Sequence, residues 1–345
     1  DGLSRKSPDY LPRLQEVRQI CKEHEIEIIP IIFSAGYGGS ILGHNRNLAA
    51  GLPVKDALFV VDGNEAHLIA DPPVEIVNGG FEEFEGSRLK GYRFHDKPGE
   101  ISIIEKKIVK EGKASLRLEN FGELDPYGHA RIMQEVKVHP HRFYRVWCWV
   151  KTEGLSPASA FKIQVYAGSR ALAPYDPRVP ATTDWRQVAM VFNSMQYEEL
   201  RIYAGLWGGK KGRVWLDGLR IEEVGLMNVL RRPGTPITVR SEDGRMAYRE
   251  GVDYERIVDP RLNPSRANGQ AVPIRLTPNS RIRDGQRLRV SFYHGIGVNR
   301  GQVSVCMSEP ELYEMWRKEA RLIHKYLQPK KYLLSMDEVR AGGSC

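Results

Sequence analysis

Apolar positions near the start of the chain recur at helical spacing. Leu11, Leu14 and Val17 lie three residues apart, which predicts one face of an amphipathic helix. A strand is predicted next in EIEIIPIIFS, residues 25–34, because this run is continuously apolar from Ile28. An apolar strand that follows a helix is typical of a parallel sheet buried on both faces.

The same helix-then-strand order returns near the end of the chain. Ser308 and Glu311 form an S-x-x-E capping box. An apolar helical face follows from Leu312 to Leu327. Pro329 ends this helix, and KYLLSM predicts the next strand. Both flanks of the chain therefore predict α/β structure.

Between residues 72 and 225 the sequence changes from helix-then-strand order to a series of short strand-like runs. Runs such as ASLRLEN, RFYRVWCWVK and FKIQVYAG are short, and turn signals separate them at regular spacing. This pattern predicts an antiparallel β-sandwich. Residues 226–294 stay rich in short strands but carry more Arg, Pro and Asp, and we interpret them as a small accessory β unit.

The order of these segments defines the predicted architecture. The α/β flanks, residues 1–71 and 295–345, total about 120 residues, against about 250 for a complete (β/α)8 barrel. We therefore predict a partial (β/α)8 TIM-like barrel interrupted by an antiparallel β-sandwich (jelly roll) insertion. A smaller doubly wound domain is the structural alternative. Because the chain begins without Met and stops soon after an apolar strand, we expect it to be truncated at both ends.

Composition and charge indicate which kinds of partner the protein can have. The 345 residues are 41% hydrophobic and 27% charged, which is ordinary for a soluble protein. No apolar run reaches the roughly 18 residues of a membrane span. The net charge of +8 is scattered, without the aromatic and basic motifs of nucleic-acid modules. We expect neither a membrane nor a nucleic acid as partner, and the mild basicity favours acidic polymers, acidic polysaccharides included.

Two adjacent carboxylates, Asp337 and Glu338, end the strand predicted in KYLLSMDEVR. On the dipeptide alone, a solvated strand end paired with Arg340 is the simpler interpretation. Catalytic residues of (β/α)8 barrels nevertheless lie at the carboxyl ends of strands, and glycoside hydrolysis needs two such groups. Adjacent acids favour substrate-assisted catalysis, in which Glu338 protonates the leaving oxygen and Asp337 orients the 2-acetamido group that attacks the anomeric carbon.

The last segment resembles a known family. SEPELYEMWRKEARLIHKYLQPKKYLLSMDEVR is similar to the part of family 20 glycoside hydrolases (β-N-acetylhexosaminidases) that leads into the motif His-x-Gly-Gly-Asp-Glu. Asp337 and Glu338 fall on its Asp-Glu pair, while Leu333, Ser335 and Met336 stand where the family has His and two Gly. The resemblance implies exo-acting hydrolysis of N-acetylhexosamines by the retaining, substrate-assisted route.

The first predicted strand and its following loop resemble the same family. IIPIIFSAGYGG is similar to the motif Ile-Pro-Glu-Ile-Asp-x-Pro-Gly-His and matches it at Ile29, Pro30 and Gly36. Further candidate substrate-binding residues share a position near a predicted strand end: Tyr37, His44, Asn45, Tyr293, His294 and Arg340. A surface loop is the alternative for His44, and a plain strand terminus is the alternative for the pair at 293–294.

The central segment resembles a second family. It opens with NGGFEEFEG and closes with RVWLDGLRIEEV, as do the jelly-roll carbohydrate-binding modules of the CenC type. Many such modules hold a structural calcium between the first and last strands. Glu82 and Asp217 are oxygen donors at the matching positions, and hard oxygen ligands suit Ca²⁺. Two surface acids are the alternative.

Aromatic side chains are the expected sugar contacts of such a module, because flat rings stack on the apolar faces of sugars. Tyr127, Tyr175 and Trp207 lie in loop-like stretches and are the candidate binding residues, with packing as the alternative for each. In YRVWCWV, Trp147 and Trp149 share one face of a strand. We expect these tryptophans to include core residues.

These observations favour a glycoside hydrolase that acts on an oligo- or polysaccharide, although a half-barrel fragment by itself is expected to be inactive. The alternative is a non-catalytic carbohydrate-binding or scaffold protein. Carbohydrate is the expected partner in either case, and catalysis is expected to need no cofactor. The resemblance implies a secreted, periplasmic or cell-surface protein, and the sequence itself leaves the compartment unknown.

Overall fold

The computed structural model describes residues 8–175, 177–295, 297, 302–336 and 339. The first elements are, in chain order, helix α1 (Tyr10–Glu23), strand β1 (Ile31–Ile32), helix α2 (Gly39–Leu42), a 3-10 helix (Arg46–Leu48), and strands β2 (Gly51–Asp62) and β3 (Glu65–Leu68).

The central elements are β4 (Phe84–Glu85), β5 (Arg88–Leu89), β6 (Phe94–His95), β7 (Ser102–Glu105), β8 (Ser115–Leu118), α3 (Phe121–Leu124), β9 (Ala130–Lys137), β10 (Phe143–Ser156), a 3-10 helix (Ala158–Ala160), β11 (Phe161–Ala167), β12 (Arg170–Tyr175), β13 (Thr183–Asn193), β14 (Glu199–Leu206) and β15 (Lys211–Glu223). The last elements are β16 (Thr238–Ser241), β17 (Ala247–Tyr248), β18 (Ile274–Arg275), β19 (Arg287–Gly295), α4 (Pro310–Leu327) and β20 (Leu333–Leu334).

Ten central strands form two five-stranded antiparallel sheets. Sheet one has the strand order β13-β10-β15-β8-β7, and sheet two has the order β12-β11-β14-β9-β6. The chain crosses between the sheets from β9 to β10, from β10 to β11, and at every step from β12 to β15. Such alternation between two packed sheets is the jelly-roll arrangement. The predicted jelly-roll sandwich is therefore confirmed as a fold.

Strict alternation along the strands builds the sandwich core. In β10, Tyr144, Val146 and Cys148 are fully buried and pack between the sheets. In β11, Phe161 and Ile163 are fully buried in the same way. Successive side chains of a strand point to opposite faces, so the residues between these core positions face outwards.

A second β unit is an antiparallel sheet of six strands in the order β17-β16-β19-β2-β3-β18. Its long central strands are β2 and β19, in which Phe59 lies opposite Leu288. Strands β2 and β3 precede the sandwich in sequence, whereas β16 to β19 follow it. The chain therefore starts this sheet, builds the sandwich, and then returns to complete the sheet.

The predicted (β/α)8 barrel is wrong, even as a partial one. The described residues contain four α-helices, two of them only four residues long, and most strands lie in antiparallel sheets. A barrel of this class needs parallel strands that each precede a helix. Residues 51–68, which the prediction gave to the barrel, instead pair with β18 and β19 in the six-stranded sheet.

A small α/β unit nevertheless forms from the two ends of the chain. β1 pairs with β20 in parallel, with Ile31 opposite Leu333. Helix α4 contacts both α1 and β1, and its Trp316 ring lies 5.4 Å from the Phe33 ring. The two predicted apolar strands are thus parallel neighbours. Within the described part of the chain, no helix has the length and apolar character needed to cross a membrane.

Candidate functional site

The outer face of sheet two carries an unusual set of side chains. On β11, Gln164 and Tyr166 alternate with core residues and point away from the core. On β14, Arg201 and Tyr203 do the same. The strand register places Gln164 opposite Tyr203 and Tyr166 opposite Arg201, so the four side chains form one contiguous patch.

This patch lines an open cavity of about 270 Å³, which we call the sheet-two cleft. Its lining consists of Arg131, Gln164, Tyr166, Gly168, Ser169, Arg201, Tyr203 and Trp207. Strands β9, β11 and β14 supply most of these residues, and the turn between β11 and β12 supplies the two small ones. The site is therefore built mainly on a rigid sheet.

Three aromatic rings of the cleft stand in a row. Tyr166 and Tyr203 meet edge to face, with ring centroids 5.9 Å apart at 87°. Tyr203 and Trp207 lie 6.4 Å apart at 65°. The backbone N–H of Trp207 donates to the Ala160 carbonyl at 2.9 Å and holds the end of β14 in place. All three rings are half-buried, so each leaves part of its surface open to a ligand.

Polar groups surround the aromatic row in fixed positions. The Tyr166 hydroxyl donates to Gln164 Oε1 at 3.0 Å. Arg131 Nε donates to Asp96 Oδ2 at 2.9 Å, and Arg131 Nη2 donates to Asp96 Oδ1 at 3.3 Å. Arg201 Nη2 donates to the Gly168 carbonyl. A guanidinium has five N–H donors, so both arginines retain donors that can reach a ligand hydroxyl.

Aromatic surface combined with fixed polar groups can bind a sugar. The apolar C–H face of a pyranose packs on an aromatic ring, and its hydroxyls need donors and acceptors at the edges. The cleft offers both kinds of group within one small volume.

The three predicted module residues have different positions. Trp207 lies in the cleft. Tyr127 is 73% exposed and stacks on His129, with ring centroids 5.8 Å apart, outside the cleft lining. Tyr175 ends β12, where its backbone pairs with Ile163, and its side chain lies outside the described part of the structure.

Sequence reasoning missed the two tyrosines that complete the aromatic row. Tyr166 occupies an outward position of FKIQVYAG, and Tyr203 occupies one of LRIYAGLW. The signal available in the sequence was that each tyrosine lies between two apolar residues of its strand, as expected for an outward position. The sequence analysis considered only aromatic residues in predicted loops, whereas strands supply most of the residues of this cleft.

The expectation for the tryptophans of β10 is wrong. Tyr144, Val146 and Cys148 fill the core, whereas Trp147 and Trp149 face outwards from sheet one and are half-buried. The Arg220 guanidinium lies 4.7 Å from the Trp147 ring centroid. The Lys110 ammonium lies 4.5 Å from that of Trp149. Cationic side chains, not the core, cover these two rings.

Glu82 and Asp217 both bind one loop, residues 106–114. Glu82 Oε1 accepts the backbone N–H groups of Lys113 and Ala114 at 2.8 and 3.3 Å. Asp217 Oδ2 accepts those of Lys110 and Glu111 at 2.8 and 2.9 Å.

Asp217 is fully buried, and burial raises its pKa while the backbone donors oppose that shift. Calcium needs six to eight oxygen ligands. Among the described residues, no group of three His, Cys, Asp or Glu side chains comes together in a way that could hold a metal. The hydrogen bonds give both acids a role in holding the loop, and a calcium-binding role stays a prediction.

Asp337, Glu338 and Arg340 lie outside the described residues. Earlier in the same segment, the Ser335 carbonyl accepts the backbone N–H of Ala35 at 3.3 Å. The loop after β1 and the chain after β20 therefore run side by side. Tyr37 is 51% exposed in that loop.

The other candidate substrate-binding residues differ in exposure. His44 is half-buried in the turn after α2, where its backbone N–H donates to the Ile41 carbonyl at 3.0 Å. Asn45 caps the following 3-10 helix and donates from Nδ2 to Glu311 Oε1 at 3.0 Å. Tyr293 is half-buried, and His294 is fully buried, so the imidazole of His294 has no exposed surface for a substrate.

No protein-family model and no curated protein matches the sequence. Solved structures do show similarity. The carbohydrate-binding module TmCBM61, solved with β-1,4-galactotriose, has 16% identity and a TM-score of 0.33, over 43% of this chain and 96% of its own. The CBM22-1 xylan-binding domain of Paenibacillus barcinonensis Xyn10C has 16% identity and a TM-score of 0.29, over 42% and 91%.

A cyclase from Fischerella sp. TAU is similar to the same degree. It has 16% identity and a TM-score of 0.37, over 44% of this chain and 96% of its own. Binding modules and an enzyme thus share comparable scores. At these identities and scores the comparisons assign no function, and the functional argument rests on the geometry of the cleft.

Proposed function

We propose that this protein binds carbohydrate in the sheet-two cleft. The observation that carries the proposal is the row of Tyr166, Tyr203 and Trp207 beside Gln164 and two arginines in one cavity. Half-buried rings that are held by their neighbours present apolar surface at small entropic cost. The alternative that the sequence offered, a carbohydrate-binding protein, is therefore the leading proposal.

The size of the cleft limits the ligand. At about 270 Å³ it lies near the lower end of small-molecule pockets, about 300 Å³. It suits a short section of an oligosaccharide whose remaining units extend into solvent. The open shape of the cleft leaves room for such an extension in a polysaccharide.

Isothermal titration calorimetry with neutral oligosaccharides tests the proposal. Galacto-, xylo- and N-acetylglucosamine trisaccharides are titrated into the protein and into Tyr203→Ala, which removes the central ring of the row. Trp147→Ala is the matched control, because it removes an outward aromatic residue from the opposite sheet. Binding that Tyr203→Ala abolishes and Trp147→Ala leaves intact supports the proposal. Binding that both variants leave intact would place the sugar elsewhere.

Glycoside hydrolysis at Asp337 and Glu338 is a second candidate function. The observation that favours it is the parallel pairing of β1 with β20, since the carboxyl ends of these two strands share one edge. Aryl N-acetylhexosaminides are incubated with the full-length protein and with Glu338→Gln. Hydrolysis that the variant loses supports this candidate. A folded protein that leaves every substrate intact argues for binding alone.

A further inference from the structure

A second cavity lies at the edge of the six-stranded sheet, far in sequence from the sheet-two cleft. Two segments, residues 255–261 and 271–275, line a space of about 340 Å³, which we call the arginine cleft. The Glu255 N–H donates to the Arg275 carbonyl at 2.8 Å, so the segments run side by side. The Val272 N–H donates to Leu226 at 2.9 Å and ties the second segment to the core.

One part of the arginine cleft is apolar. Ile257 is 3% exposed and belongs to the core of the six-stranded sheet. Val272 packs against the same core, and Pro260 and Pro273 also belong to this apolar part of the lining. Val258 is 51% exposed at the rim, which leaves an apolar side chain open to solvent beside the cavity.

Three arginines, Arg256, Arg261 and Arg275, also line this cleft. Arg275 Nε donates to Glu65 Oε1 at 2.9 Å, so that charge is paired. Arg261 Nη1 donates to the neutral Gln270 Oε1 at 2.9 Å. Within the described part of the chain, neither Arg256 nor Arg261 forms an ion pair.

Among the described residues, the acids near the cleft make other contacts and form no ion pair with these two arginines. Asp259 is 7% exposed, and its oxygens accept backbone N–H groups of Asn228 and Arg261 at 2.6 and 2.9 Å. Glu255 is the one carboxylate in the lining. Three arginines and one glutamate line the cleft, so the lining itself carries a net positive charge beside its apolar residues.

We propose that the arginine cleft binds the carboxylate of an acidic sugar, a uronate unit of a glycan. A planar carboxylate matches the forked donors of a guanidinium, and such charge-assisted pairs are stronger than neutral hydrogen bonds. The sugar ring brings an apolar face that suits Val258, Val272 and the two prolines of the lining. A bare inorganic anion would use the charge and leave this apolar surface uncovered.

This site does not depend on the sheet-two cleft, because the two cavities share no lining residue. A protein with both would hold an acidic polysaccharide at two points. Two linked contacts raise the overall affinity without any new interaction, provided that the glycan spans both.

Calorimetry with trigalacturonate as the probe tests the proposal at low salt. The double variant Arg256→Gln, Arg261→Gln keeps polar side chains of similar reach and removes both unpaired charges. We expect it to bind the probe about tenfold or more weakly. Arg245→Gln, which alters an arginine that is 89% exposed and faces Asp243, is the control that should bind as the native protein does.

Further variants and ligands in the same experiment distinguish binding in the arginine cleft from binding in the sheet-two cleft and from binding of any anion. Tyr203→Ala is expected to keep the part of trigalacturonate binding that the double arginine variant loses. Val258→Glu, an exposed substitution that adds a negative charge at the rim, should weaken binding in the same direction. Neutral galactotriose should be insensitive to both arginine changes. Unchanged trigalacturonate binding in the double variant, or equal binding of sulfate and trigalacturonate, would overturn the proposal.

Discussion

The ring of His294 stacks on the ring of Phe143, with centroids 3.7 Å apart and planes 18° from parallel. Phe143 begins β10 of the sandwich, whereas His294 lies near the end of β19 in the six-stranded sheet. Both side chains are fully buried. The stack therefore joins the two β units through their cores. A 2.7 Å bond from the Val224 N–H to the Phe143 carbonyl extends the pairing of β10 with β15 and holds Phe143 in place within the sandwich.

Phe143→Ala is expected to lower the free energy of unfolding by about 3–5 kcal/mol, the usual cost of truncating a buried Phe. Phe143 packs in the core of the six-stranded sheet, although its strand belongs to the sandwich. Thermal unfolding followed by circular dichroism measures the loss. Phe94→Ala, at a position 36% exposed, is the control, and an equal loss in both variants would contradict the joining role.

His294 is held in its neutral form by its partners. Asn193 Oδ1 accepts the Met195 N–H at 2.8 Å, so Asn193 Nδ2 faces His294 Nε2 at 3.0 Å and donates to it. His294 Nδ1 lies 3.2 Å from the Gly295 carbonyl and carries the proton. Burial lowers the pKa of His294 from 6.5 to about 3, and the Gly295 carbonyl opposes that shift.

The lowered pKa predicts that acid destabilises the junction. The unfolded chain takes up a proton near pH 6.5 and the folded protein only near pH 3, so stability falls as the pH drops through this window. Melting temperatures from pH 7 to pH 3 measure the slope. His294→Gln, which has no titrating group, is expected to show a flatter profile. An unchanged slope in this variant would assign the acid sensitivity to other groups.

Glu223 gives the same junction the opposite pH dependence. Its Oε1 lies 3.2 Å from Arg142 Nε, and the two side chains are 4% and 15% exposed. Arg142 Nη2 also donates to the Asp56 carbonyl of β2 at 3.0 Å, so this pair spans the two β units. Burial raises the pKa of Glu223 from 4.5 to about 7, although Arg142 opposes the shift.

The folded protein therefore holds a proton on Glu223 between pH 4.5 and pH 7 that the unfolded chain has lost. The contribution of Glu223 to the free energy of unfolding is largest below pH 4.5. It declines by about 3 kcal/mol as the pH rises to 7. Relative to the native protein, Glu223→Gln should gain stability across this window in chemical denaturation. Glu222→Gln, on the same strand and 49% exposed, is the control and should show no such trend.

Trp207 and Tyr127 were both predicted as sugar contacts, and the structure separates them. Trp207 lines the sheet-two cleft, while Tyr127 stacks on His129 outside it. We expect Trp207→Ala to weaken oligosaccharide binding about tenfold or more, because truncating a Trp anchor commonly costs more than 1 kcal/mol. Tyr127→Ala should change the affinity by less than about twofold. Equal losses by calorimetry would extend the site towards Tyr127.

Local periodicity explains which parts of the fold the sequence could predict. The sandwich strands alternate core and outward residues over short, turn-bounded runs, and this signal needs no distant partner. In the six-stranded sheet only the β2–β3 hairpin and the β16–β17 pair are local. The central pairing is not, because Val60 of β2 finds Arg287 of β19 only after the whole sandwich has intervened. The segment 51–68 therefore looked like part of a barrel flank, although its pairing partners lie in the segment 226–295.

The candidate site was predictable to a similar extent. Trp207 was among the predicted sugar contacts because it lies just beyond a predicted strand, in a loop-like stretch. Tyr166 and Tyr203 were missed because the sequence does not show which face of β11 or β14 is the outward one until the core is known. The arginine cleft depends on the contact between residues 255 and 275, which no periodic pattern encodes.

Asp217 tests whether the acids of the sandwich hold a loop or a metal. It accepts three backbone N–H groups, from Lys110, Glu111 and Gly218, while fully buried. Asp217→Asn is expected to cost about 1–3 kcal/mol of unfolding free energy, because the new amide turns donor hydrogens towards backbone donors. Chemical denaturation measures this loss.

Calcium titration shows whether the stability lost in Asp217→Asn comes from the loop hydrogen bonds or from a bound metal. If Asp217 only holds the loop, calcium and a chelator leave the melting temperature of native protein and variant unchanged, and the hydrogen bonds account for the whole effect. If Asp217 and Glu82 are ligands, calcium raises the melting temperature of the native protein and not that of Asp217→Asn. Because ligand binding to the folded state stabilises it by mass action, the rise should grow with calcium concentration. Glu82→Gln should then lose the calcium response as well, whereas Glu119→Gln, an acid on the same sandwich that pairs with Arg117, should keep it.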